Sequence, residues 1–154
     1  MNNVGMDFNF ANTGDIENII RIMRYGYHEC WDKKFFLNLI KNKNSILYIL
    51  KKKKCVVGFI AGMISEIDCD IIMMVIDIKS RQKGFGSLLL NNTLYALKGM
   101  GINNIYLEVS VNNIPAIDLY ERSGFKKIST RKSYYKYNGT MIDAALYQMV
   151  NSEN

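Results

Sequence analysis

The feature that most constrains this chain is an apolar strand followed by a glycine-containing turn and a helical pattern. The segment from Ile71 to Ile76 is apolar and rich in β-branched residues, which is typical of a buried strand. Beyond the turn, leucines recur at helical spacing from Leu88 to Leu97, and Gly99 follows as a helix stop. This order indicates a strand inside a sheet that leads directly into a helix.

The turn between them predicts an anion-binding site. It comprises Arg81, Gln82, Lys83, Gly84, Phe85, Gly86 and Ser87. Consecutive backbone N–H groups and the positive end of a helix can bind a phosphate, and glycine lets the backbone approach it closely. The same residues also fit a loop that only needs open backbone angles.

Two common phosphate-binding loops do not match this turn. A nucleotide P-loop needs Gly-x-x-x-x-Gly-Lys-Ser/Thr, which the chain lacks. A dinucleotide fold needs a third glycine where Leu89 stands, and an acid about 20 residues on, whereas Glu108 comes only after a whole helix. The ligand expected at this turn is therefore another phosphate compound.

Length and composition favour a soluble intracellular protein. A chain of 154 residues suits a single domain over residues 1–154, and no apolar run approaches the ~20 residues that span a membrane. The first residues lack the basic and apolar regions of a signal peptide. Three separated cysteines and one histidine argue against a disulfide framework and a metal site. We therefore expect a cytoplasmic protein with no metal and no membrane partner.

The net charge of +6 fits either general solubility or a polyanionic ligand. The densest basic run, Lys51 to Lys54, falls between two strand-like segments and carries no interleaved aromatic residues. A hairpin turn explains this run as well as a nucleic-acid patch does, so we expect no direct nucleic-acid binding.

The remaining periodicity predicts further helices and strands around the central strand. Helices are expected from Asp15 to Tyr27, from Phe35 to Asn42 and from Asn112 to Gly124; strands from Ser45 to Leu50, Cys55 to Ile64, Ile102 to Val111, Phe125 to Ser133 and Met141 to Val150; and a polar turn from Ser65 to Asp70. The helix after Ile76 supplies a crossover, so the strands on either side of it should be parallel. The fold class is α+β, with a mixed central sheet.

Several short motifs in fixed order resemble the GNAT superfamily of N-acetyltransferases, most closely its RimI-like branch. They are Arg81-x-x-Gly84-x-Gly86, Leu107-Glu108-Val109, Asn113, Ala116-Ile117-x-Leu119-Tyr120-Glu121-x-x-Gly124-Phe125, Tyr134-Tyr135 and Asp143-Ala144. The resemblance covers nearly the whole chain. It implies a GNAT fold, in which a central mixed sheet with two splayed parallel strands is flanked by helices and binds acetyl-CoA in the splay.

The resemblance also implies cofactor contacts. The backbone of Val75 and Ile76 would pair with the pantetheine arm, and the turn from Arg81 to Ser87 would hold the pyrophosphate. Asn113 matches a pantetheine-contacting asparagine, although its position also suits a plain helix cap.

Two residues match the family's acid and base. Glu108 interrupts an apolar strand and would be the general base, although a surface glutamate on an alternating strand gives the same pattern. Tyr120, twelve residues later, would protonate the departing thiolate as general acid, although tyrosine in a helix more often only packs. The cysteines are expected to be packing thiols, since amine attack on the thioester can be direct.

Four residues are predicted to bind the acceptor substrate: Glu29, Trp31, Tyr134 and Tyr135. Trp31 and the tyrosine pair would form two walls of a peptide groove. Here the chain departs from the family it resembles, because Glu29-Cys30 stands where RimI-like enzymes often carry an apolar residue and proline. A negative Glu29 could attract the substrate amine or a basic second residue.

The resemblance implies a cytoplasmic enzyme, a monomer or weak dimer, that acetylates α-amino groups of protein N-termini, with a ribosomal protein among the candidate partners. Acetylation of small amines or of lysine side chains is the alternative within enzymes. A non-catalytic CoA-binding module is the alternative outside them.

Overall fold

A computed structural model describes residues 5–25 and 30–151 of the chain. Its strands are β1 (Met6–Phe10), β2 (Ser45–Lys52), β3 (Cys55–Ser65), β4 (Asp68–Ile76), β5 (Asn104–Ser110), β6 (Lys126–Tyr137) and β7 (Thr140–Val150). Its α-helices are α1 (Ile16–Arg24), α2 (Lys33–Lys41), α3 (Phe85–Gly99) and α4 (Ile114–Arg122), with short 3-10 turns at Thr13–Asp15 and Ile78–Ser80. Within the described residues the strands form one sheet in the order β1-β2-β3-β4-β5-β7-β6.

The mixed sheet and its flanking helices confirm the predicted fold class. β4 and β5 are parallel, as the α3 crossover requires, and the other neighbouring strands are antiparallel. The Asn138-Gly139 pair makes the tight β6–β7 turn, with positive φ at both residues.

Several details differ from the sequence-based expectation. α1 ends at Arg24, and β6 extends to Tyr137, past the predicted strand end at Ser133. The predicted polar turn from Ser65 to Asp70 is shorter, because β3 continues to Ser65 and β4 already begins at Asp68. β1 was not expected, since its polar Asp7 and Asn9 make a weak strand signal, yet it pairs along its length with β2. Tertiary pairing rather than local propensity fixes this edge strand.

The two halves of the sheet separate between β4 and β5. These strands pair only from Asp68 with Asn104 to Ile71 with Leu107. Beyond Ile71 the register of β4 on β3 shifts, which marks a β-bulge at Ile72, and β4 then follows β3 while β5 follows β7. A cleft therefore opens between the carboxyl-terminal halves of the two parallel strands.

Apolar side chains pack on both faces of the sheet. On one face α3 and α4 bury Leu89, Leu90 and Tyr120 against the sheet. On the other face α1 and α2 bury Ile19 and Phe36. Each such side chain contributes about 1.5–3 kcal/mol of transfer free energy when fully buried, so the two helical layers stabilise the sheet from both faces.

Candidate active site

The turn after β4 exposes a row of backbone N–H groups. Gly84 caps α3 with φ +78°, and Gln82 also has a positive φ, of 58°. Among the described residues, the N–H groups from Gln82 to Ser87 donate no hydrogen bond. The first N–H groups of any helix lack intrahelical partners, but here the row extends three residues ahead of the helix. This geometry suits a phosphate, and so fits the nucleotide end of acetyl-CoA.

The two glycines of the turn are needed for different structural reasons. Gly84 adopts a left-handed backbone that glycine reaches without steric cost. A Cβ at Gly86 would lie 3.3 Å from Leu119 Cδ2, so glycine there lets α4 approach α3 closely. Gly86 therefore also serves helix packing, which the phosphate interpretation alone does not require.

Positive charge surrounds this turn. Arg81 Nε donates to the Ile76 carbonyl at 3.2 Å, and Lys83 Nζ donates to the Lys79 carbonyl at 2.7 Å, so both side chains fold back onto the turn. From the β2–β3 hairpin, the Lys52 ammonium lies 5.2 Å from the centre of the Phe85 ring. The lysine run is thus a hairpin turn, as expected, and it adds a cation beside the start of α3.

Val75 and Ile76 lie on the part of β4 beyond the splay. They pair with Phe59 and Gly58 of β3, and β5 no longer covers their other side. The strand edge predicted to meet the pantetheine arm therefore borders the cleft.

A second region, on the α2 face of the splay, is a cleft of about 840 Å³. Its lining residues are Trp31, Phe35, Asp70, Ile71, Ile72, Tyr106, Leu107, Glu108, Arg131, Tyr134, Tyr135 and Leu146. The structure thus brings together Trp31, Glu108 and the tyrosine pair, all of which were singled out from the sequence. We call this region the amine cleft.

Aromatic rings form two sides of the amine cleft. Trp31 packs on Phe35 of α2 with ring centres 4.1 Å apart. On β6, the Tyr134 and Tyr135 rings meet edge to face at 5.0 Å. Glu29, the remaining predicted substrate residue, lies outside the described residues.

Glu108 projects into the amine cleft from β5. About 23% of its side chain is exposed, and its Oε1 lies 3.0 Å from Arg131 Nη2. The Arg131 guanidinium in turn lies 4.7 Å from the centre of the Tyr134 ring. Sequence reasoning missed Arg131, because the register of β6 on β7 shifts between Arg131 and Tyr135 and removes the usual alternation.

Tyr120 lies on the opposite face of the sheet from Glu108. It is buried between α4 and the sheet, with its ring edge-on to Phe125 at 5.8 Å. Acid and base candidates on opposite faces are compatible with one reaction only if the substrates meet in the gap between β4 and β5.

Asn113 is the N-cap of α4. Its Oδ1 accepts a hydrogen bond from the Ala116 N–H at 3.4 Å, and its own N–H donates to the Ser110 carbonyl at 2.9 Å. The helix-cap interpretation of this residue is confirmed, and a contact with pantetheine stays a prediction.

Two side chains near the splay, Asp70 and Cys69, have a raised pKa. Burial, with a smaller contribution from the Asp68 carboxylate, raises the pKa of Asp70, which lines the amine cleft. Burial, together with the Asp70 carboxylate, raises the pKa of the Cys69 thiol to about 12. Cys69 is therefore protonated at neutral pH and is a poor nucleophile.

Across residues 5–25 and 30–151, no group of three or more His, Cys, Asp or Glu side chains is arranged to hold a metal ion. In the same residues, no helix is long and apolar enough to cross a membrane.

Comparison with known proteins decides the family. Residues 15–125 match the model of the acetyltransferase (GNAT) family. The chain belongs to the GNAT family. It is an acetyl-CoA-dependent acetyltransferase.

Its relatives include an N-alpha-acetyltransferase of Saccharolobus solfataricus, 32% identical over 85% of this chain and 87% of that protein. The fold is shared with the ribosomal-protein-S18-alanine N-acetyltransferase of Escherichia coli, with a TM-score of 0.90 at 21% identity over 97% of this chain and 96% of the other. It is also shared with Arabidopsis thaliana NAA60, solved in complex with acetyl-CoA, with a TM-score of 0.82 at 21% identity over 94% of this chain and 98% of the other.

Proposed function

We propose that this GNAT enzyme transfers the acetyl group of acetyl-CoA to the α-amino groups of protein N-termini. The observation that carries the proposal is the amine cleft, in which a carboxylate lies between aromatic walls at the splay of β4 and β5. A relative that is 32% identical and named as an N-alpha-acetyltransferase supports the same acceptor class.

The acceptor chemistry favours an α-amine. With a pKa of about 7.7–8.0, roughly a tenth of an α-amine is neutral at pH 7, whereas a lysine amine near 10.4 is neutral about once in ~2,500. A single half-buried carboxylate is a modest base, so it suits an amine that loses its proton easily. The open cleft with aromatic sides also has room for the residues that follow an N-terminus.

Glu108 is the proposed general base. Its Oε1 accepts a proton from the attacking nitrogen, directly or through water, while the new N–C bond forms and the C–S bond of the thioester breaks. Tyr120 is the proposed general acid, and its Oη donates a proton to the sulfur of the departing CoA. The phenol is weak enough as an acid to hold that proton until the thiolate forms.

The turn from Arg81 to Ser87 is the proposed site of the CoA pyrophosphate. Its free N–H groups and surrounding cations support this role. Val75 and Ile76 would pair with the pantetheine arm along the uncovered edge of β4, and the Asn113 amide would contact the arm from the start of α4. Trp31, Tyr134 and Tyr135 would enclose the acceptor peptide.

A ribosomal protein is one candidate substrate, because the E. coli neighbour is named as a ribosomal-protein-S18-alanine N-acetyltransferase. At 21% identity the likeness carries the fold and only suggests the substrate. N-terminal specificity must therefore be measured with peptides.

Paired peptides test the proposal. Two peptides of one sequence, both with an internal lysine, would differ only in a free or chemically blocked N-terminus, and CoA release would be followed. We expect turnover with the free peptide alone. Equal turnover with both peptides would indicate that the enzyme acetylates the lysine side chain. Turnover only with small amines would indicate that small amines are the acceptors instead of protein N-termini.

A further inference from the structure

We propose that Arg131 makes this enzyme select N-termini whose second residue is acidic. The inference rests on the proposed N-terminal acetylation and adds the substrate class. It starts from the contact between Arg131 and Glu108, a pair that no matched motif of the sequence includes.

Arg131 holds the carboxylate that the reaction needs. The guanidinium lies 3.0 Å from Glu108 Oε1 and 4.7 Å from the Tyr134 ring centre. Of the described residues that line the amine cleft, Arg131 alone is basic, whereas Asp70 and Glu108 are both acidic. Among the described lining residues there is thus one cation, and it already pairs with the proposed base.

An arriving N-terminus must compete with this pair. Most α-amines carry a proton near neutral pH, so the substrate brings a second cation to a carboxylate that Arg131 already neutralises. Arg131 can give way, because 57% of its side chain is exposed and partly exposed ion pairs are weak. Its guanidinium would then lie beside the substrate ammonium, displaced from the carboxylate with which it had paired.

An acidic second residue removes this imbalance by exchanging partners. The substrate ammonium pairs with the Glu108 carboxylate. The substrate carboxylate pairs with the Arg131 guanidinium in a charge-assisted, often bidentate, contact. The second residue begins about 3.3–3.6 Å further along an extended chain, so the Arg131 guanidinium must turn away from Glu108 Oε1, now 3.0 Å from it, to meet the second side chain. The Tyr134 ring, 4.7 Å from the guanidinium, offers a cation–π contact that the guanidinium can retain as it turns from Glu108 to the substrate carboxylate.

Neutral and basic second residues lack this compensation. A neutral residue supplies no carboxylate to replace Glu108 as the partner of Arg131, and a lysine adds a third positive charge near it. The expected order of catalytic efficiency is therefore acidic, then neutral, then basic. This order is the reverse of the preference for a basic residue that Glu29 would give.

The experiment uses three peptides, Ala-Asp, Ala-Asn and Ala-Lys at the N-terminus of one common sequence. We would measure kcat/KM for the parent, Arg131→Gln and Arg131→Lys. We expect the parent to favour Ala-Asp over Ala-Asn by about tenfold. Arg131→Gln should reduce that ratio to about one, and Arg131→Lys should restore part of it.

A matched control is Arg122→Gln. Arg122 is exposed on α4 and pairs with Asp118 at 3.3 Å, away from the amine cleft, so its loss should keep the tenfold ratio. Equal melting temperatures of the variants would exclude a folding effect. An unchanged ratio in Arg131→Gln, or a parent with no acidic preference, would overturn the inference while leaving N-terminal acetylation in place. If the parent acetylates none of the peptides, the inference and the proposed function both fail.

Discussion

The turn after β4 and the amine cleft lie at the two sides of one splay, but they are built differently. The turn depends on backbone, with left-handed φ at Gln82 and Gly84 and a row of free N–H groups. The amine cleft depends on side chains from five elements or their flanks, among them Trp31 before α2 and Arg131 on β6. A backbone site is encoded in consecutive residues, whereas a side-chain site is encoded at positions far apart.

Their electrostatics differ in the same way. The turn gathers cations, including Arg81 and Lys83, with Lys52 reaching over Phe85. The amine cleft combines two carboxylates, of Asp70 and Glu108, with Arg131. These signs suit a polyphosphate on one side and an amine on the other, so changes in the two regions should affect different kinetic constants.

The largest effect should come from Glu108→Gln. The variant keeps the shape of the side chain but cannot accept the proton, so kcat should fall by about 10²–10⁴-fold while the Kd of acetyl-CoA stays unchanged. Steady-state kinetics and calorimetric titration would measure the two constants.

Glu66→Gln is the control for this change, because Glu66 is exposed in the β3–β4 turn. It should leave both constants unchanged. If Glu108→Gln kept the parent kcat with a free N-terminal peptide, Glu108 would not be the base.

Tyr120→Phe should have the next largest effect. The ring and its packing on Phe125 are retained, so only the hydroxyl is removed, and kcat should fall by about 10–100-fold. The matched control is Tyr147→Phe, which removes a hydroxyl that donates to Glu121 Oε1 at 2.8 Å. Equal losses of kcat in both variants would indicate a structural role for Tyr120.

Gly84→Ala should weaken acetyl-CoA binding and leave peptide binding unchanged. A left-handed backbone costs about 1–2 kcal/mol with an L side chain, so the turn should distort and the KM of acetyl-CoA should rise about tenfold. The KM of the peptide should not change. Gly101→Ala is the control, since Gly101 has a φ of +79° with no atom within 4 Å of an added Cβ.

Both glycine variants should lose similar thermal stability, because the backbone strain is the same. A rise of the acetyl-CoA KM in Gly101→Ala as large as that in Gly84→Ala would mean that strain, and not the turn, controls cofactor binding.

The smallest effect is a pH-dependent stabilisation by Asp70→Asn. Burial and Asp68 raise the pKa of Asp70, so the folded protein binds this proton more tightly than the unfolded chain does. The free energy of unfolding therefore falls as pH rises from the unfolded pKa to the folded one. The variant should melt about 1–2 °C above the parent at about pH 7 and equal it at about pH 3.

Asp7→Asn provides the control, because Asp7 is exposed on β1. It should not reproduce the pH-dependent difference. If Asp70→Asn lowered the melting temperature at neutral pH, the ionised carboxylate would stabilise the cleft instead.

The sequence predicts the turn better than the cleft for a physical reason. Strand, glycines and helix follow one another from Ile71 to Gly99, and short-range rules describe such a segment well. The sequence does not predict the edge strand β1, because its partner β2 lies some 40 residues later. It does not predict a role for Arg131 either, because a register shift in β6 places this residue beside Glu108 and no local pattern indicates that contact.

Hydrogen exchange on the millisecond timescale tests the central claim most directly, namely that the turn holds the nucleotide and the amine cleft receives the acceptor. In the free protein, the N–H groups from Gln82 to Ser87 have no acceptor among the described residues and should exchange quickly. Acetyl-CoA should slow exchange in this segment and leave residues 130–137 unchanged, whereas a free N-terminal peptide should slow exchange in residues 130–137. Protection of residues 130–137 by acetyl-CoA with none in the turn would contradict the account.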